Sequence, residues 1–109
     1  MIRLEDIHFH DCVLLRVVEA PETDELIMDV EYPVDWDNEL YEPRSIVFTE
    51  VLNYEVHEGP FQGAPTILDY SLISSDSAGS RIRLETNAGY RLLTFREVGI
   101  RECTGKRST

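Results

Sequence analysis

The sequence predicts a small, mainly antiparallel all-β protein. The expected form is a β-sandwich or partly open barrel of six to seven strands with at most one short helix. Three observations predict it. Apolar and polar residues alternate along "DELIMDVEY" and "SRIRLET". Turn-forming stretches such as "APETD", "SDSAGS" and "NAG" recur at the spacing of successive hairpins. No long run carries the apolar period of a helix.

A first strand is expected from about Cys12 to Glu19, joined through "APETD" (20–24) by a tight hairpin to a second. In the second, Leu26, Met28, Val30 and Tyr32 fall on one face and Ile27, Asp29 and Glu31 on the other, a pattern with one buried side. The stretch "VEYPVDWDNELYEPRS" (30–45), with Pro33 and Pro43 around a cluster of acids, reads as a loop. "SIVFTEVLNYEV" (45–56) is compatible with strand or short helix. Alternation of Ile46 and Phe48 favours strand, broken near Glu50. "HEGPFQGAP" (57–65) reads as loop, "TILDYSLIS" as strand and "SDSAGS" (75–80) as turn. In the hairpin over 80–102, Ile82, Leu84 and Thr86 oppose Arg81, Arg83 and Glu85, and Asn87 and Gly89 suit the tight connection. Leu93 and Phe95 then have one parity, Val98 and Ile100 the other. A bulge near Arg96–Glu97 would turn both pairs to the core.

With 109 residues the chain is expected to form one domain over 1–109 and to bury roughly two-thirds of its unfolded surface. No apolar run approaches the ~20 residues of a membrane helix, and the N-terminus lacks a secretory apolar stretch, so a cytoplasmic location is expected. Cys12 and Cys103 lie far apart and read as free thiols, one of them buried. The net charge of −11 disfavours nucleic-acid backbones. It is unevenly spread: residues 1–60 hold sixteen acids and three bases, residues 61–109 five acids and seven bases. This asymmetry suggests an acidic face built by the first half. The arginines at 81, 83, 91, 96 and 101 are expected to pair with Glu85, Glu97 and first-half acids rather than to hold an anion.

The best functional lead is the aromatic, acidic segment of Tyr32, Asp35, Trp36, Asp37, Glu39 and Tyr41. Aromatic rings supply rigid contact area and carboxylates steer a basic partner, so these six residues are the candidate site for binding a basic protein. The bland alternative is that Trp36 folds back to plug one end of the core. A calcium loop is disfavoured, because neither the bend glycine nor the distal bidentate glutamate falls at the required spacing. The alternative functional reading is a metal-binding or hydrolytic protein. "HFHD" (8–11) sets His8 and His10 on one side of an extended chain beside Asp11, and His57 is the third histidine. A structural role for this step, with local hydrogen bonds, is the stronger expectation. Cys12 lies near His10 and Asp11, but a nucleophile needs a base within hydrogen-bond reach, and two residues along a strand span about 7 Å. Catalysis and cofactors are therefore not expected. An exposed edge strand could pair two copies into a homodimer, but the sequence does not identify the edge.

"IHFHDCVLLRVVE", "DELIMDVEY" and "RSIVFTEV" together resemble a broad group of small bacterial β-rich domains of unknown function that open on an apolar-His-Asp step. Some of that group are similar to immunity proteins of toxin systems. The resemblance rests on His10, Asp11 and the strand pattern through Phe48, about the first half of the chain. It implies a β-rich fold and, more weakly, a toxin-like basic partner.

Overall fold

The computed structural model describes residues 4–35, 37–38, 40–60 and 62–102. After a single 3-10 turn at Leu4–Asp6 come β1 (Val13–Ala20), β2 (Glu25–Asp35), β3 (Leu40–Thr49) and β4 (Leu52–Glu58). They are followed by β5 (Ile67–Asp76), β6 (Gly79–Thr86), β7 (Gly89–Phe95) and β8 (Glu97–Glu102). These form two four-stranded antiparallel sheets, ordered β1-β2-β3-β8 and β4-β7-β6-β5. The all-β expectation holds, and 45–56 is strand broken at Glu50. No helix among the described residues is long and apolar enough to cross a membrane.

There are eight strands rather than six or seven because two long ones each bend in half. β3 leaves the first sheet at Glu50 and continues in the second as β4, and β7 makes the reverse crossing at Arg96. Glu50 turns the corner in the left-handed region, at φ 51°. Because β3 pairs with β8 and β4 with β7, the two corners sit side by side. The Arg96 N–H donates to the Thr49 carbonyl at 3.0 Å, and the Arg96 guanidinium lies 3.7 Å from the Glu50 carboxylate. The parity change in the last strand is thus a change of sheet rather than a bulge. Leu93 and Phe95 reach the core from one side, Val98 and Ile100 from the other.

The inner faces of both sheets make one core. Leu26, Met28, Val30, Ile46 and Phe48 meet Ile67, Ile82, Leu84, Leu93 and Phe95, all buried, each worth about 1.5–3 kcal/mol on removal from water. Phe48 and Phe95 touch edge to face, centroids 4.9 Å apart. Ile7, Phe9 and Cys12 add to the same cluster. There the chain ties the outer strands together. The Asp11 N–H donates to the Ile67 carbonyl at 2.8 Å, the Ile67 N–H to Cys12 at 2.7 Å, and the Leu14 N–H to Pro65 at 2.8 Å. These bonds join β1 to β5 only at their first residues, so the sheets do not close into a barrel.

The β6–β7 turn is narrower than "NAG" implied. Asn87 and Ala88 make the turn, and Gly89 (φ 152°) already belongs to β7. A Cβ at Gly89 would stand 2.1 Å from the His57 carbonyl oxygen, so glycine is needed for the close approach of β4.

Candidate functional site

The segment 30–45 is not a loop for most of its length. β2 runs on through Asp35 and β3 begins at Leu40, so the segment is the far half of a long hairpin. Among the described residues, this half has no outer strand neighbour. β1 stops pairing with β2 at Glu31, and the last described pair of β3 with β8 is Arg44 with Glu102. Pro33 and Pro43 lie just beyond those limits, and neither has an N–H to offer a third strand. The prolines that suggested a loop instead lie in a two-stranded ribbon of residues 32–35 and 40–43, whose base is packed: Pro33 is buried and Tyr32 half-buried against the core.

On this ribbon Tyr32 pairs with Glu42, and Pro33 with Tyr41. Neighbouring residues of a strand point to opposite faces, so Tyr32 and Tyr41 do not share a surface. Tyr32 continues the core-facing series of Met28 and Val30, is half-buried, and its hydroxyl accepts the His8 N–H at 2.9 Å. It is therefore a structural residue rather than half of an aromatic pair. Tyr41 is exposed (38%), as are Val34 (40%) and Leu40 (50%). Val34 is the extra residue where the register shifts between Pro33 and Asp35. Sequence reading overlooked Val34 and Leu40, although two apolar residues beside an acidic turn were the available signal. Asp37 is exposed in the connecting turn. The backbone of Asp35 ends β2, while Trp36 and Glu39 lie outside the described residues.

The histidines do not converge. His8 and His10 are both exposed, but in an irregular segment before β1 rather than on a strand. His10 Nδ1 donates to the Leu68 carbonyl, and its Nε2 lies 3.5 Å from the Asp11 carboxylate. Asp11 itself holds the left-handed conformation (φ 72°), which aspartate tolerates better than most residues. His57 projects from β4, where Nε2 donates to Glu55 at 2.8 Å and the ring stacks on Tyr90, centroids 4.7 Å apart. Arg83 lies over the Tyr90 ring as well, 3.9 Å from its centroid. Among the described residues no three metal-ligating side chains gather as an ion site. Cys12 is a buried free thiol that donates to the His8 carbonyl at 3.0 Å. Burial, with Asp11 beside it, pushes its pKa up to about 12, so the thiolate a nucleophile requires does not form near neutral pH.

The first-half acids do not build one face. Second-half arginines neutralise several of them: Arg81 reaches Glu55 at 3.1 Å, Arg91 reaches Glu58 at 2.7 Å, and Arg101 comes within 4.0 Å of Glu25. Arg83 binds Glu85 on its own strand. On the outer face of the first sheet, Arg16 holds Asp29 at 2.9 Å, and the Ser45 hydroxyl donates to the same carboxylate at 2.6 Å. The expected pairing of Arg91 with a first-half acid is present too, in an enclosed cluster of the second sheet. Arg91 and Glu58, with side chains only 12% and 11% exposed, form a two-pronged pair. Thr86 donates to Glu58 at 3.1 Å, and Arg91 donates to the Tyr54 hydroxyl at 3.0 Å. The Arg91 bonds hold the Glu58 carboxyl below its ordinary range, against the effect of burial. Desolvation raises the Tyr54 phenol despite Arg91 beside it. Every partner here is occupied, so the cluster fastens β4 to β7 and β6.

Other acids stand at opposite ends of β2. Glu19, Glu22 and Asp24 surround the β1–β2 turn, while Asp37 marks the ribbon tip, roughly 34 Å away at strand rise. No protein-family model matches the chain, and no curated protein matches it.

Proposed function

We propose that the ribbon of residues 32–43 is a docking element with which this chain binds a basic protein, without catalysis. One observation carries the reading: a two-stranded ribbon, without an outer strand neighbour among the described residues, that exposes Val34 and, on its opposite faces, Leu40 and Tyr41 near the acidic turn at Asp37. Apolar anchors within a charged rim are the usual composition of a protein-binding patch. Carboxylates at a projecting tip would speed encounter with a cationic surface and fade beyond about 8 Å at physiological salt. The partner-binding residues are then Asp35, Trp36, Asp37, Glu39 and Tyr41, joined by Val34 and Leu40, with Tyr32 bracing the ribbon from beneath. An immunity-type role, in which the basic partner is a toxin, is one form of this reading.

The test is affinity capture from the native host with wild type and a Tyr41→Ala/Asp37→Lys variant, at low and high salt. A protein retained by wild type, lost by the variant and released by salt is the expected result. Identical capture by both forms would remove the ribbon as the binding site.

A further inference from the structure

Of the four edge strands, three are guarded. The pairing of β1 shifts register between Leu14 and Arg16, that of β4 between Leu52 and Glu55, and that of β5 twice. Such irregularities are how sheets keep edges from joining other chains. β8 is the exception: it pairs with β3 without a shift from Arg44–Glu102 to Thr49–Glu97, and it contains no proline. Among the described residues its other side has no strand neighbour.

The sequence of this open edge is complementary to itself. Reversed about Gly99, "EVGIR" sets Glu97 against Arg101, Val98 against Ile100 and Gly99 against itself. A twofold axis through Gly99 therefore produces two Glu97–Arg101 pairs on the outer face and two Val98–Ile100 contacts on the inner one. Glu97 and Arg101 are exposed, and Arg101 stands 4.0 Å from Glu25 of its own chain, at the limit of an ion pair. Val98 and Ile100 pack on the core yet remain half-buried, which leaves apolar surface at the edge for a second strand to cover. Gly99 lies opposite Val47 with no side chain to obstruct the axis.

We infer that two copies of this chain associate through β8, antiparallel about Gly99, joining their first sheets into one eight-stranded sheet. The inference is independent of the ribbon reading, because the ribbon lies beyond the last described β3–β8 pair and contributes no residue to the β8 edge.

Sedimentation of the untagged full chain across the micromolar range tests it. The mass should rise from 12.6 kDa towards twice that value with concentration. Glu97→Arg sets arginine against arginine at both symmetric positions, and Arg101→Glu sets acid against acid. Each should weaken association roughly tenfold to a hundredfold. The double variant Glu97→Arg/Arg101→Glu restores both pairs and should dimerise like wild type. Mixing the two single variants should yield a heterodimer that neither forms alone. Circular dichroism confirms that each variant is folded, and the double variant stands as the control if one single variant is not. A chain that stays monomeric throughout overturns the inference, as does a dimer indifferent to the single charge reversals or not restored by the swap.

Discussion

The two halves of the β2–β3 hairpin are made from the same strands and behave as different materials. In the half flanked by β1 and β8, Leu26, Met28, Val30, Ile46 and Phe48 are fully covered. In the half beyond Glu31 and Arg44, no strand lies alongside among the described residues, and Val34, Leu40 and Tyr41 meet solvent. A pair of strands becomes a stable wall only when others cover it, and an unflanked ribbon is free to present side chains. Position along one hairpin therefore separates what holds the fold from what is available to a partner.

The largest break in that contrast should come from Phe48→Ala. Emptying the site beside Phe95 should cost about 3–5 kcal/mol in urea unfolding. Next is Glu58→Gln, which leaves Arg91 without its two-pronged acceptor and should cost about 2–4 kcal/mol at neutral pH. The same variant has a pH signature. The folded Glu58 pKa is below its ordinary 4.5, so its contribution is complete above that pH and is lost as pH falls through the folded value. Stability measured from pH 6 to pH 3 should therefore decline less steeply in the variant. Amide exchange sharpens the comparison without mutation. Protection should fall abruptly past Glu31 on β2 and before Arg44 on β3. The smallest effect on stability belongs to Tyr41→Ala, within about 0.5 kcal/mol by the same urea measurement. A larger loss would mean that Tyr41 braces the fold.

Local pattern made much of this legible. Alternation located the core face of β2 and of β6, and the parity of Leu93, Phe95, Val98 and Ile100 correctly required something unusual near Arg96. Parity alone does not distinguish an extra residue in one sheet from a crossing between two, because both turn the next side chain inward. The ribbon was misread for a related reason. Proline and clustered acids mark loops and unaccompanied strands alike, since both lack neighbours that need a donor. The ion pairs were legible in kind but not in partner. Arg81 pairs with Glu55 two strands away, which depends on the order β4-β7-β6 and not on spacing in the chain.

The twin corners have a mechanical consequence. Each of two polypeptide stretches, β3 with β4 and β7 with β8, belongs to both walls of the molecule, and the bends are stitched together at Thr49, Glu50 and Arg96. Neither wall can peel away without unravelling the other, so the body should melt in a single step under heat, with no half-open form along the way.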